Sequence, residues 1–447
     1  MMKTPVADFV EKYKNDGFVR LHVPGHKGKG SLCEACDLTE IEGADVLYHE
    51  TGILGESQKN ATALFGTRAT FYSAEGSSLC IRAMLSLIKM QATSDGKKPL
   101  IFTAGNAHKV FMTASALLDI DVKFLFPDVS TGVVSCEITP EKLRSELEKS
   151  DTLPTAVYIT SPDYLGVISD VKGLSAVCRE YGVLLAVDNA HGAYLKFLPE
   201  DIHPTTMGAD MCCDSAHKTF SVLTGGAYLH ISENAPEVLY KNAKKAMSLF
   251  ASTSPSYLIL ASLDRMNARL AGEYENELCA FTEKLSNLNA QLIKHGYTLF
   301  GSEPLKITID AKKYGYTGEE IAEILREGRI ECEFSDPDFC VMMLTPENDE
   351  SELEKLKNAL FAIPKKEEIC TRAPENKRGE QVLGIKDALF MTCESVDTEN
   401  AAGRILASPS VSCPPAIPVA VCGERLTEST VEIFRYCGIE KIDVIKE

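Results

Sequence analysis

The sequence predicts an α/β protein whose larger part is built on a mostly parallel sheet, followed by a smaller α+β C-terminal part. The first observation is that short apolar runs alternate with helical patterns from about residue 61 onward, which is typical of βαβ units. The second is that these runs are almost continuously apolar, as expected of strands buried on both faces. The third is a βαββα pattern over residues 304–363, which favours a separate, smaller layer.

The elements follow from these patterns in chain order. Seven strands are predicted in the larger part, at residues 71–74, 99–105, 122–126, 155–161, 183–190, 209–216 and 225–231. Helices are predicted near residues 5–15, 77–92, 107–118, 140–149 and 171–181. Residues 256–295 read as one long helix ending before Gly296, because glycine favours the left-handed C-cap. The charged, proline-containing residues 364–378 indicate a surface connector.

The chain is long enough for two or three structural units, and 45% of its 447 residues are hydrophobic. The expected parts are an N-terminal segment over residues 1–45, a large domain over 46–290, a small α+β domain over 291–365 and a C-terminal domain over 366–447.

Composition and charge exclude several classes of protein. The net charge of −18, from 46 basic and 64 acidic residues, argues against a nucleic-acid-binding protein. No run approaches the ~18 apolar residues of a membrane span, and the first residues do not resemble a signal peptide. We therefore expect a cytoplasmic protein whose 15 cysteines are free. Cys33 and Cys36 form a CxxC without a second pair at metal-binding spacing, so no metal site is expected.

The most informative lysine is Lys218, in the segment DSAHKTF (214–220). Most lysines are solvated surface charges. Lys218, however, follows an apolar strand and stands among small hydroxyl residues, which suits a partly desolvated amine. Desolvation lowers the pKa of a lysine and makes it a nucleophile toward an aldehyde.

A buried acid precedes this lysine by thirty residues. Asp188 and His191 follow the apolar strand of AVDNAHGAY (186–194). A carboxylate at a buried strand end needs a cation to offset its desolvation, and a protonated pyridine nitrogen is such a cation. An ordinary helix-capping aspartate is the alternative interpretation.

Two further segments lie at strand ends. EGSS (75–78) places Gly76, Ser77 and Ser78 at a helix start, where backbone N–H groups and hydroxyls can bind a phosphate. An ordinary serine N-cap would give the same sequence pattern and is the alternative interpretation. GNAHK (105–109) places His108 where an imidazole could stack on a flat ring, or serve only as a structural histidine. Ligands of open α/β sheets bind outside the carboxyl ends of strands, where all these residues fall.

These motifs together resemble the short form of the Orn/Lys/Arg decarboxylase family, whose members are fold-type I enzymes dependent on pyridoxal 5'-phosphate. The resemblance extends over most of the chain. It rests on VPGHKGKG (23–30), DLTEIEGADVL (37–47), GILGESQKNATALFG (52–66), EGSS, GNAHK, TSPDYLGVISDV (160–171), DNAHG, SAHKTFSVLT (215–224), STSPSYLILASLD (252–264) and CPPAIPVAVCGE (413–424). It implies an aspartate-aminotransferase-like large domain that binds the cofactor.

The resemblance also implies roles for individual residues. Lys218 would form the Schiff base with the cofactor, Asp188 would bind the ring nitrogen, and His108 would stack on the ring. His191 would lie near the phenolic oxygen. The residues expected around the phosphate are Gly76, Ser77, Ser78, Ser215 and His217, together with Thr253 and Ser254 from the neighbouring subunit of a homodimer or higher even oligomer. Lys218 or His217 would protonate the α-carbon after CO2 leaves.

Three positions depart from the family pattern. The residue after the ring-binding acid is usually acidic and here is Asn189. The residue before Gly76 is usually asparagine and here is Glu75. The residue after the Leu-Thr pair is commonly glutamine and here is Gly225. These departures leave Lys218 in place.

The resemblance predicts decarboxylation of a basic amino acid, with arginine to agmatine first and lysine or ornithine as rivals, in polyamine biosynthesis. Glu424 is the candidate acceptor for the distal cation of the substrate, and a solvated surface glutamate is the alternative interpretation. An aminotransferase or lyase is an alternative, in which Arg326 or Arg329 would bind the α-carboxylate. A regulatory homologue that binds the cofactor without catalysis is a second alternative.

Overall fold

The computed structural model describes residues 2–49, 51–127, 136–375, 377–408, 410–413 and 417–446. Its main feature is a seven-stranded sheet with the order β1-β7-β6-β5-β4-β2-β3. The strands are β1 (Ala69–Ser73), β2 (Leu100–Ala104), β3 (Asp121–Leu125), β4 (Ala156–Thr160), β5 (Leu184–Asp188), β6 (Met211–Asp214) and β7 (Ala227–Ile231). All seven predicted strands are therefore present.

The pairing is parallel between β2 and β3 and between β5 and β6. The strand β7 instead runs antiparallel to both of its neighbours, β6 and β1. The helices of this part of the chain are α1 (Pro5–Asn15), α2 (Ile53–Phe65), α3 (Gly76–Ser94), α4 (Lys109–Leu118), α5 (Pro140–Glu148), α6 (Val171–Tyr181), α7 (Ala216–Thr219), α8 (Glu237–Ser248), α9 (Tyr257–Leu270) and α10 (Tyr274–His295).

The prediction of one helix over residues 256–295 is wrong, because α9 ends at Leu270 and α10 begins at Tyr274. Gly272 lies in the break, and glycine destabilises a helix interior relative to alanine. The predicted end of this region is confirmed: α10 stops at His295, and Gly296 has a φ of +112°.

The described residues of the C-terminal part form three small sheets. The four-stranded sheet has the order β10-β11-β9-β8, and β12 pairs with β15 and β13 with β14. These strands are β8 (Leu299–Phe300), β9 (Lys306–Asp310), β10 (Phe334–Ser335), β11 (Phe339–Met343), β12 (Cys393–Asp397), β13 (Ser410–Cys413), β14 (Ile417–Val421) and β15 (Lys441–Ile445). The helices are α11 (Gly318–Glu327), α12 (Glu350–Ala362), α13 (Ile385–Phe390) and α14 (Glu428–Tyr436). Within the proline-rich motif 413–424, residues 414–416 lie outside the described residues.

The chain forms two compact units. The first comprises Met1–Pro99, Thr155–Val157 and Val171–Leu278, and the second comprises Leu100–Pro154, Tyr158–Asp170 and Cys279–Glu447. This division does not test the expected four-part boundaries, which stay a prediction. In the second unit, a cluster around Leu406, Phe434 and Val444 forms a core of its own.

A buried aspartate organises the start of the first unit. Asp264 on α9 accepts hydrogen bonds from the backbone N–H groups of Val6 (2.8 Å) and Ala7 (3.0 Å) and from the Ser57 hydroxyl. Thr4, the residue at the N-cap of α1, makes no side-chain cap. Asp264 therefore satisfies N–H groups that a helix start leaves without intrahelical partners, and it ties α1 to α2 and α9.

The turn between β10 and β11 contains a carboxyl group with one poorly satisfied oxygen. Asp336 Oδ1 accepts from the backbone N–H groups of Asp338 (2.7 Å) and Phe339 (2.6 Å). Its Oδ2 has no hydrogen-bond partner among the described residues. Burial raises the pKa of Asp336 from 3.8 to about 7, against the lowering effect of the two N–H groups.

This raised pKa predicts a pH-dependent contribution to stability. Because the folded-state pKa lies above the ordinary value, the protonated carboxyl is favoured in the fold, and its stabilising contribution is lost as the pH rises from 3.8 to about 7. Asp336→Asn should therefore match the wild type near pH 5 and exceed its free energy of unfolding by on the order of 1 kcal/mol at pH 8. Urea unfolding at both pH values measures this difference.

The control is Asp349→Asn, at the exposed N-cap of α12, where a hydrogen bond from Ser351 lowers the pKa of the carboxyl. That variant should gain no stability at the higher pH. An Asp336→Asn variant that is equally destabilised at both pH values would contradict the prediction.

Candidate active site

The carboxyl ends of β5 and β6 bring two predicted site segments together in the first unit. The parallel register places Asp188 opposite Cys213. Asp188 is 3% exposed, and its Oδ1 accepts from Cys213 Sγ at 3.5 Å and from the backbone N–H of Ala190 at 3.3 Å. The alternative of an ordinary capping aspartate explains only the second of these contacts. A cation beside this carboxylate would offset the cost of burying its charge.

Lys218 lies on α7, the short helix that follows β6. Its Nζ is 2.9 Å from Nε2 of His191, which is buried in the loop after β5. The backbone N–H of Lys218 donates to Ser215 O at 2.9 Å, so the tight turn after β6 fixes the base of this side chain. The structure thus brings together the lysine and the histidine that the sequence singled out separately.

The predicted phosphate-binding segment begins α3. Gly76 has a φ of +69°, a left-handed conformation that glycine adopts without strain, and its N–H donates to Gly225 O at 2.7 Å. Ser215 Oγ donates to Ser77 Oγ at 2.8 Å, which joins the turn after β6 to this helix start. Ser78 is the next residue of the first turn, where backbone N–H groups lack intrahelical acceptors. Two of the expected phosphate ligands therefore meet at one helix N-terminus.

Glu75, one of the departures from the family pattern, has a local role. Its Oε1 accepts from the backbone N–H of Ser252 at 2.7 Å. The hydroxyl of Ser252 in turn accepts from the N–H of Ser254 at 3.1 Å. Glu75 therefore anchors the loop that carries Thr253 and Ser254, both of which are exposed in the single chain. Their contribution to a neighbouring subunit stays a prediction.

His217 has a defined tautomer. Its Nδ1 lies 3.0 Å from Gly226 O, and a carbonyl oxygen can only accept, so Nδ1 carries the proton. Burial lowers the pKa of His217, with a further lowering effect of Lys218, while the hydrogen bond to Gly226 raises it. In the neutral ring Nε2 is therefore an acceptor, which fits poorly with protonating the substrate.

Two predicted residues lie in the second unit. His108 is the N-cap of α4, where its Nδ1 accepts from the N–H of Val110 at 3.2 Å. This contact gives it a structural role, and its stacking on a cofactor ring stays a prediction.

Glu424 is 2% exposed, so its interpretation as a solvated surface residue is wrong.

Both carboxylate oxygens of Glu424 are engaged. Oε2 pairs with the Arg378 guanidinium, and Oε1 accepts from the N–H of Gly379 at 2.9 Å. The guanidinium of Arg378 also lies over the Phe126 ring, 4.1 Å from its centroid. A substrate cation would have to displace Arg378 from Glu424, and the substrate role of Glu424 stays a prediction.

The arginines considered for an aminotransferase lie in the second unit, on and just after α11. Arg326 is exposed and pairs with the carboxylate of Glu331 through Nε and one terminal nitrogen. Arg329, two residues beyond the end of that helix, has a φ of +59°, and its backbone carbonyl accepts a hydrogen bond from Lys355 Nζ at 3.0 Å. A substrate carboxylate would therefore have to displace Glu331 from Arg326.

Sequence analysis missed one group of residues at this site. Asp214, the last residue of β6, is fully buried between the imidazoles of His203 and His230. Among the described residues these three form the one group of acidic, histidine or cysteine side chains close enough to hold a metal ion. The DSAHKTF motif begins with Asp214, but nothing in the sequence pointed to its two histidine partners. The described cysteines, including Cys33 and Cys36, are free.

The sequence matches two models of one family. The Orn/Lys/Arg decarboxylase major domain covers residues 4–299, and the C-terminal domain of the same family covers residues 383–441. No helix of the described residues is both long and apolar enough to cross a membrane.

Individual proteins with known names agree with these matches. An arginine decarboxylase of Bacillus anthracis is 30% identical over 471 aligned residues, covering 97% of this chain and 92% of the relative. An arginine decarboxylase of Bacillus subtilis (strain 168) is 29% identical with 97% and 93% coverage. The solved lysine decarboxylase LdcF of Francisella novicida superposes with a TM-score of 0.80 at 18% identity, over 99% of this chain and 81% of that one, which confirms the expected fold class. The chain therefore belongs to the Orn/Lys/Arg decarboxylase family.

Proposed function

We propose that this protein decarboxylates arginine to agmatine, using pyridoxal 5'-phosphate bound at Lys218. Its family membership makes it a decarboxylase and implies this cofactor. The observation that carries the assignment of the site is the contact between Lys218 Nζ and His191 Nε2, beside the buried Asp188 at the ends of two parallel strands. Lysine and ornithine are the rival substrates within the family.

The residues at these strand ends fit the cofactor. The buried carboxylate of Asp188 suits a protonated ring nitrogen, because an ion of opposite charge offsets its desolvation. The hydroxyls of Ser77 and Ser215, together with the first turn of α3, offer donors for a phosphate. His191, in contact with Lys218, is the candidate partner of the phenolic oxygen.

The chain's own groups then have distinct tasks. When bound, the cofactor's pyridinium ring accepts the electron pair that the departing carboxylate leaves behind. Asp188 would keep that ring nitrogen protonated. Lys218 Nζ would hold the proton that is delivered to the α-carbon of the substrate. His217 fits this task poorly because its proton is on Nδ1, directed at Gly226 O.

The choice of arginine rests on the relatives, which are named arginine decarboxylases and match almost the whole chain. The second unit already contains a carboxylate that binds a guanidinium, in the pair of Glu424 and Arg378. Agmatine would then be the product, and polyamine biosynthesis its use. Arginine is a better match than lysine for a planar, two-oxygen carboxylate partner.

We further propose that the active enzyme is a cytoplasmic homodimer or a higher even oligomer. Support comes from the loop over residues 252–254, which Glu75 anchors and which exposes Thr253 and Ser254. In such a dimer these two residues would approach the phosphate of the neighbouring subunit. An isologous dimer is the commonest symmetric assembly.

The first test supplies arginine, lysine and ornithine separately to protein loaded with pyridoxal phosphate, and measures CO2 and the product amine. We expect CO2 and agmatine from arginine, with kcat/KM for the two other substrates lower by at least about tenfold. Lys218→Ala should lower the rate by at least about 100-fold, because it removes both the covalent anchor and the proton donor.

The matched control is Lys241→Ala on α8, which removes an exposed lysine that pairs with Glu237 on the same helix. This variant should retain the wild-type rate. Loaded wild-type protein that releases no CO2 from any of the three amino acids would contradict the proposed function.

The second test decides between the substrate role and the structural role of Glu424. Because both of its oxygens are engaged by Arg378 and Gly379, Glu424→Gln should leave a partly buried guanidinium unpaired and lower the free energy of unfolding of the second unit by about 1–3 kcal/mol. If Glu424 also binds the distal cation, KM for arginine should rise by at least about tenfold while kcat changes little.

The control for this test is Glu394→Gln, which removes an exposed partner of Arg404 in the same unit. It should change neither KM nor stability by a measurable amount. A loss of stability in Glu424→Gln with an unchanged KM would rule out the substrate role.

A further inference from the structure

The last residue of β6 carries a carboxylate that is completely enclosed. Asp214 Oδ2 lies 3.1 Å from Nε2 of His203 and 3.1 Å from Nε2 of His230, and Oδ1 accepts from Asn189 Nδ2 at 2.7 Å. All four residues are 0% exposed. Burying a carboxylate is costly unless it is fully hydrogen-bonded, and these three donors satisfy that requirement.

The two imidazoles are held at both ring nitrogens. Nδ1 of His203 lies 2.8 Å from Thr205 Oγ1, and Nδ1 of His230 lies 2.8 Å from Thr70 Oγ1. The ring of Phe65 packs on both histidines, with centroid distances of 5.5 Å and 4.4 Å respectively. Because a rotated imidazole would lose two hydrogen bonds at once, the two rings hold the carboxylate in one orientation.

This carboxylate is negatively charged. Burial opposes its ionisation, but the charges of His203 and His230 and their hydrogen bonds hold the pKa of Asp214 well below its usual value. Burial lowers the pKa of His230, although Asp214 acts in the opposite direction. The network therefore places a fixed negative charge at the end of β6.

Asn189 connects this charge to the site. Its backbone N–H donates to Cys213 O at 3.0 Å, and its side-chain amide donates to Asp214. Both hydrogen bonds connect Asn189, which directly follows Asp188, to β6, the strand that precedes Lys218. Position 189 is therefore the donor, and the acid that accepts from it ends β6.

We propose that Asp214 is a positioning residue of the cofactor site, whose buried charge, through Asn189, holds Asp188 against the ring nitrogen. This inference rests on the proposed function, since it assumes that the cofactor binds at Lys218 and Asp188. Asp214 itself acts through Asn189 and touches neither substrate nor cofactor.

The test exchanges the two polar groups. Asp214→Asn should weaken binding of pyridoxal phosphate by about tenfold, because Asn189 loses its charged acceptor. Asn189→Asp should weaken it further, because two carboxylates then face each other in a buried site. The double variant Asn189→Asp/Asp214→Asn returns the acid to position 189 and the amide to β6, and should recover wild-type affinity to within about threefold.

The readout is the dissociation constant of pyridoxal phosphate, from titration of the visible absorbance of the lysine-bound cofactor, with thermal unfolding of the cofactor-free protein alongside. Asp264→Asn is the matched control, because it also removes a buried, hydrogen-bonded carboxylate from the first unit. It should lower stability while leaving the dissociation constant unchanged.

The outcomes separate the two proposals. Wild-type affinity in Asp214→Asn, or a double variant as weak as the single ones, would overturn the positioning role and leave the proposed function standing. Wild-type protein without visible absorbance would overturn both. A third outcome is that purified wild-type protein contains one equivalent of zinc and that Asp214→Asn contains none. That result would show that Asp214, His203 and His230 bind a metal ion rather than one another, and it would overturn the inference.

Discussion

The side-by-side pairing of β5 and β6 is the constraint on which the candidate site depends. It places Asp188 opposite Cys213 and lets the Asn189 side chain donate to Asp214, so two buried carboxylates end neighbouring strands. Each would be strongly destabilising alone in an apolar interior. The carboxylate of Asp214 is stabilised within the protein by hydrogen bonds from two imidazoles and an amide. The carboxylate of Asp188, buried at the end of β5, is the one that we propose binds the protonated ring nitrogen.

Other departures from the family pattern are explained by nearby contacts. Glu75 does not add an unpaired charge to the helix start, because its carboxylate is bonded to the backbone of the loop at Ser252. Gly225 supplies the carbonyl that receives the N–H of Gly76, and its φ of +99° suits glycine. A side chain there would meet Ala74 O at 2.9 Å. Both departures are therefore parts of the same tightly bonded segment around the start of α3.

Sequence reasoning located the strands well because buried strands leave continuous apolar runs, which can be recognised without knowing their neighbours. It also singled out Asp188, which ends such a run, and Lys218, which follows one closely; their roles at the cofactor stay predictions. It missed the break between α9 and α10, where a single Gly272 interrupts an otherwise helical composition. It could not find the partners of Asp214, because His203 and His230 are brought to it by pairing and loop geometry and not by a local pattern. The engagement of Glu424 by Arg378 depends in the same way on residues 46 positions apart.

The central claim is that Lys218 is the lysine to which the cofactor is bound. Borohydride reduction of protein loaded with pyridoxal phosphate, followed by tryptic digestion and mass spectrometry, tests it directly. A modified Lys218 resists cleavage, so the account predicts a peptide of residues 197–241 that carries the reduced cofactor, in place of peptides 197–218 and 219–241. Unmodified peptides 197–218 and 219–241, with the cofactor on another lysine or on none, would contradict the account.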